Sequence, residues 1–199
     1  MEVLDEIESR FQSNLNRVKN LVELYTSISG RGRGRRPVQN TDILRAAVVL
    51  LHATLEDLLR SLAEWRLPTA KPEILAEIPI CGTKRGARIG LQELAGFRGE
   101  TIDEVIARSV KEYLEKTSYN HPGDIKTTLG NIGLQLEIDD DDSAELAAMM
   151  SRRHWIAHRV DRNPRRGSGH HPVKSLSNMA VSGWIEAVQR LGHDVFSRF

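Results

Sequence analysis

Ile43-Leu44-Arg45-Ala46-Ala47-Val48-Val49-Leu50-Leu51-His52-Ala53-Thr54-Leu55-Glu56-Asp57-Leu58-Leu59-Arg60-Ser61-Leu62 is apolar on nearly every side of a helical wheel. A helix of that kind is buried on most sides and forms the centre of a bundle. Its start is expected at Asn40 or Thr41, either of which can cap it with Asp42 in the first turn, and its end near Trp65. The few polar residues on it, His52, Glu56, Asp57 and Arg60, must then find partners or line a cleft, because a buried polar group without a hydrogen bond is costly.

The flanking sequence supplies the helices that such a centre needs. Leu4, Ile7, Phe11, Leu15, Val18, Val22, Tyr25 and Ile28 recur at steps of three and four, the pattern of an amphipathic helix that stops at Gly30. A basic Gly/Arg loop, 30–37, follows; it lacks the preceding strand and the Lys-Ser/Thr that a phosphate-cradling loop requires. Residues 66–90 hold Pro68, Pro72, Pro79, Gly82, Gly86 and Gly90 and read as an irregular, poorly ordered excursion with at most a short helix over 72–77. A short helix is expected over 91–95. Thr101 and Glu104 begin a longer one that turns Ile102, Val105, Ile106, Val110 and Leu114 inward. Another short helix suits 124–132, and Asp142 to Glu145 has the form of a capping box for the next. The last helix, 175–197, has Leu176, Met179, Ala180, Trp184, Ala187, Val188, Leu191 and Val195 on one stripe, which makes Trp184 a core residue. No strand or internal repeat is legible, so the expected class is all-α, a helical bundle with an irregular excursion after the second long helix. At 199 residues it is expected to form one domain, 1–199.

Composition narrows the function. The net charge is +1, so no global field of the kind that draws nucleic acid surrounds the chain. Charge is nonetheless unevenly placed, with basic clusters at 31–36 and 152–166 and an acidic run at 139–142. One cysteine, Cys81, excludes an internal disulfide framework, and the absence of an apolar leader at the start points to the cytoplasm. The longest apolar stretch, Ala46 to Leu51, is far short of the roughly 20 residues of a membrane span.

The candidate site lies in the helix that follows the acidic run, over 149–159. Its helical period places Leu146, Met149, Met150, Ile156, Ala157 and Val160 on one face, with Arg153 in the middle of that face. A guanidinium is never discharged in a protein, so a core-facing one must be held by an anion or line a cleft. An ion pair with Glu56 or Asp57 of the buried helix is one such resting state. Ser151, His154, Trp155 and His158 form a second face, and a tryptophan with two histidines pointing away from the core marks a partner surface. Two other Arg-x4-His pairs, Arg165 to His170 and Arg166 to His171, sit in a Gly/Pro-rich loop with no fixed geometry.

The buried helix containing His52 to Arg60, followed by Arg153-His154-Trp155-Ile156-Ala157-His158-Arg159, resembles the HEPN superfamily, and most closely its RiboL-PSP branch. The resemblance covers about 41–199. It implies a metal-independent endoribonuclease of toxin-antitoxin or phage-defence type. It further implies a homodimer in which the Arg-x4-His motifs of two protomers meet across a shared cleft. On this resemblance Arg153 and His158 are catalytic, His154 is the usual polar residue after the motif arginine, and an antitoxin of nucleotidyltransferase type is an expected partner. The chemistry agrees with the residues. An imidazole can take the 2′-hydroxyl proton near neutrality, and a guanidinium fork matches a phosphate gathering charge. Arg152, Arg159 and Arg162 are expected to hold the RNA backbone, and Trp155 to stack on a base or enter the dimer contact. His154 and His158 also have zinc-ligand spacing, which His170 and His171 could extend, but no cysteine pair or nearby carboxylate completes a set, so neither metal nor cofactor is expected. The competing class is a non-catalytic module that binds a nucleotide, RNA or a partner protein, with Arg153 a structural ion-pair residue.

Overall fold

The computed structural model describes residues 2–29, 38–84, 86, 87, 89–162 and 173–199. The basic loop at 31–36 and the second cluster's Arg165, Arg166, His170 and His171 lie outside the described residues. Eight α-helices account for most of the rest: α1 (Glu2–Ser29), α2 (Val38–Arg66), α3 (Pro72–Leu75), α4 (Leu91–Leu94), α5 (Ile102–Lys116), α6 (Pro122–Asn131), α7 (Asp140–Arg159) and α8 (Asn178–Phe196). No strand occurs among the described residues, only an isolated antiparallel bridge between Arg162 and Val173, and the class is all-α.

The all-round apolar character of α2 has the expected consequence. It packs against α1, α5, α6, α7 and α8, with Leu44, Val48, Leu51, Leu55, Leu59 and Leu62 all at 0–1 % exposure. Each such side chain contributes about 1.5–3 kcal/mol by leaving water. Ile7, Phe11, Leu15, Val18, Val22 and Tyr25 of α1 cover one side of it, while Val181, Trp184, Val188, Leu191 and Val195 of α8 complete the same core. Phe11 meets Phe196 with ring centroids 5.8 Å apart and tilted by 57°. The ring of Phe11 also lies against Gly192, where a Cβ would overlap it.

Several boundaries and faces differ from expectation. α2 begins at Val38, so Asn40 and Thr41 fall inside it; Thr41 Oγ1 accepts a hydrogen bond from Arg45 instead of capping. α7 is capped by Asp139, whose carboxylate accepts from the Asp142 amide at 2.7 Å. Asp142, freed from that task, is gripped by the Arg190 guanidinium and ties α7 to α8. Ile28, Ile102 and Met179 continue their apolar stripes in sequence but are exposed at the ends of their helices. At the α5 start Thr101 and Glu104 do form the capping box.

The excursion after α2 is irregular as expected, with short 3₁₀ turns at Leu67–Thr69 and Ala95–Phe97. It is tied to α5 at one point, where the amides of Cys81 and Gly82 donate to Ser109 Oγ and Glu112, each at 2.9 Å. Between it and α5 lies an apolar cavity of about 390 Å³ that includes Leu75, Ile78, Phe97 and Ile106 in its lining and no residue of α7. No described helix is long and apolar enough to cross a membrane.

Because the Phe11 ring is wedged between α1 and α8, Gly192→Ala is expected to destabilise the protein by about 1–3 kcal/mol through overpacking. Urea denaturation measures it, and Phe11→Leu in the same chain should recover most of the loss.

Candidate active site

α7 carries the candidate residues on a helix whose ends are well defined. Asp140, Asp141 and Asp142 occupy the first turn and Arg159 the last, each at the favourable end of the peptide dipoles. The helix terminates in two successive left-handed residues, Val160 (φ 50°) and Asp161 (φ 55°). That conformation is costly for a β-branched side chain and persists only where its surroundings enforce it. The Asp161 amide donates back to Trp155 O at 3.0 Å and the Arg162 amide to Arg159 O at 3.0 Å, which closes the turn.

Asp161 supplies the enforcement. Its side chain is fully buried, and Oδ2 accepts from Arg45 Nε of α2 at 2.8 Å and from Arg152 Nη2 of α7 at 2.7 Å. Its backbone carbonyl accepts from the Lys174 amide at 2.9 Å. Lys174 O in turn accepts from both arginines at 2.9 Å, and Ser175 O accepts from Arg152 at 3.0 Å. Arg152, expected to meet RNA, is therefore committed to this network with 15 % side-chain exposure and is not presented to a ligand. Its planar fork is used to bridge a carboxylate and two carbonyls.

Arg153 is half-buried, and its charge is felt at His52 of α2. The ion pair expected for it with Glu56 or Asp57 is absent. Glu56 binds Arg60 at 2.7 Å within α2, and Asp57 binds Arg10 of α1 at 3.0 Å. Both carboxylates thus have local partners, and no described carboxylate lies within salt-bridge distance of Arg153. His52 is buried, and its Nε2 donates to Tyr119 O at 2.8 Å. Its pKa is held below the ordinary value, chiefly by burial and further by the Arg153 charge, against the opposing pull of the Tyr119 carbonyl and Glu56. With a neutral ring the 3.6 Å approach of Nδ1 to Glu56 is not an ion pair.

On the outer face His154 and His158 are exposed and lie with ring centroids 4.7 Å apart at 46°. His158 lies five positions after Arg153, about 7.5 Å along the axis and about 140° around it. Trp155 is half-buried beneath the Lys174 ammonium, 4.1 Å from the ring centroid, with the Arg159 guanidinium 5.9 Å away. Arg162 is exposed and enters the bridge with Val173. Of the apolar face read for this helix, Leu146, Met149 and Met150 are buried and Ile156 half-buried, whereas Ala157 and Val160 are exposed. Arg45 near the start of α2 meets Asp161 just beyond the end of α7. Ala46, Val49 and Ala53 of α2 are exposed, as are Ala157 and Val160.

No group of three or more His, Cys, Asp or Glu side chains with metal-site geometry occurs among the described residues. Comparison of the chain with protein-family models, curated proteins and solved structures gave no match.

Two tests follow from this geometry. Asp161→Ala leaves Arg45 and Arg152 buried without their carboxylate and is expected to cost about 3–5 kcal/mol, measurable as a lowered denaturation midpoint. His52 gives a pH signature. Its folded-state pKa lies below the unfolded value of about 6.5, so the unfolded state binds the proton first and stability falls as pH drops from neutrality through that value. Denaturation midpoints between pH 7.5 and 5.5 should decline in the wild type, and the slope should flatten in His52→Gln.

Proposed function

We propose that this protein is a metal-independent endoribonuclease of HEPN type that acts as a homodimer, with Arg153 and His158 carrying the chemistry and His154 assisting. The observation that carries this is Arg153: a half-buried guanidinium on the same helix as an exposed histidine pair, with no described carboxylate to neutralise it. A cation so placed retains its full charge for an incoming phosphate.

In the reaction His158 takes the proton of a 2′-hydroxyl. The 2′-oxygen attacks the adjacent phosphorus, Arg153 stabilises the charge gathering on the non-bridging oxygens, and the 5′-oxygen leaves with a proton. The products are a 2′,3′-cyclic phosphate and a free 5′-hydroxyl. Because Arg153 and His158 diverge around the helix, one chain does not aim both at a single phosphate. Two-fold assembly answers that: the histidine of one protomer serves as base and the same histidine of the second as acid. Ala157 and Val160, exposed apolar residues beside His158 in the last turn of α7 and just after it, support burial of this end of the helix against a second copy.

Incubation of the purified protein with labelled RNA should yield 2′,3′-cyclic ends at an unchanged rate in a chelator. His158→Ala is expected to slow cleavage by about 100-fold to 10,000-fold, the usual weight of an acid/base group. Wild-type-like cutting by that variant removes His158 from the mechanism, cutting that stops with chelator removes the metal-free route, and RNA binding without cutting places the protein among non-catalytic binding modules.

A further inference from the structure

We propose that Lys174 is a backbone-phosphate contact for single-stranded RNA, and that Trp155 serves as its seat and does not itself stack on a base. The assignment rests on the ribonuclease reading for the identity of the ligand, but its support is separate. The Lys174 ammonium sits 4.1 Å from the Trp155 ring centroid, on the surface of the helix that bears His154 and His158, with Arg159 5.9 Å from the same ring. An ammonium over an indole is held electrostatically while its remaining N–H groups stay free to donate. No described carboxylate lies within salt-bridge distance of Lys174. The acid close at hand, Asp161, is fully buried and already shared by two arginines.

The placement of Lys174 is also fixed from behind. Its amide donates to Asp161 O, and its carbonyl receives Arg45 and Arg152, each contact at 2.9 Å. The backbone is therefore clamped at the point where the side chain leaves for Trp155, so little conformational freedom is lost when an anion arrives. A base stacked on the indole would have to displace this cation, whereas a phosphate would join it and the nearby Arg159. The ligand chemistry that fits is the repeating anion of a nucleic-acid strand.

The test uses the full chain and a 2′-O-methyl oligoribonucleotide, which binds but cannot be cut by 2′-oxygen attack. Lys174→Met keeps the backbone clamp and the aliphatic stem and removes the charge. It is expected to weaken binding by about fivefold at low salt. The slope of log affinity against log salt should become shallower by about 0.7, the loss of one phosphate contact on a single strand. Lys174→Arg should restore both, and Trp155→Leu should match Lys174→Met, with no added loss in the double variant. Unchanged affinity and slope in Lys174→Met would overturn the assignment, as would a Trp155→Leu loss that adds to it in full, since the ring would then be touching a base. A wild type that does not bind the oligonucleotide overturns it as well. Failure of the catalytic reading looks different: His158→Ala cuts normally while the salt slope still responds to Lys174.

Discussion

A single carboxylate, that of Asp161, joins the three parts of the chain on which the candidate site is built. It draws Arg45 from the central helix, Arg152 from the site helix and, through its backbone, the segment leading into α8. Two guanidiniums at 8 % and 15 % side-chain exposure are tolerated in this part of the fold because that charge and the carbonyls of Lys174 and Ser175 meet them. The left-handed pair Val160 and Asp161 is the backbone cost of putting the carboxylate there. The terminus of α7, with His158 and Arg159 in its last turn, inherits its direction from this arrangement.

The bundle was legible in the sequence because its signals are local and repeated. The apolar periodicity of 4–25 and the all-round apolarity of 43–62 each specify burial several times over, and the structure follows both. Errors fell where one residue decides the outcome. Asp139, Asp140, Asp141 and Asp142 are chemically interchangeable as caps, and Asp139 takes the role because the chain is already extended there (φ −64°, ψ 164°), leaving Asp142 for Arg190. Ile102 and Met179 continue a stripe correctly but at helix ends, where periodicity carries no information about whether a neighbour is present.

For the site, the principle that a core-facing arginine needs an anion was sound, and a different arginine satisfies it. Arg45, set between Leu44 and Ala46 in the most apolar stretch of the chain, is the buried one, at 7 % exposure, while Arg153 is only half-buried where α7 leaves the core. Nothing in the sequence marks Asp161 as the partner of Arg45, because 116 positions separate them and the turn that presents it has no glycine. Lys174 was invisible for the same reason, its position over Trp155 being a product of tertiary structure. His154 and His158 are exposed, as the helical period has them, whereas Trp155 on the same predicted face is half-buried under Lys174. Neither Glu56 nor Asp57 pairs with Arg153, because each carboxylate finds another cation, Arg60 one turn along and Arg10 across the α1–α2 contact.

The contact of Phe11 with Gly192 also constrains how this chain can change over evolutionary time. The two residues sit 181 positions apart in one shared volume. An added methyl at 192 costs stability while the ring at 11 keeps its size, and shrinking the ring alone leaves a void with a cost of its own. Substitutions at the pair are therefore coupled, and related chains should show small residues at 11 wherever 192 carries a side chain.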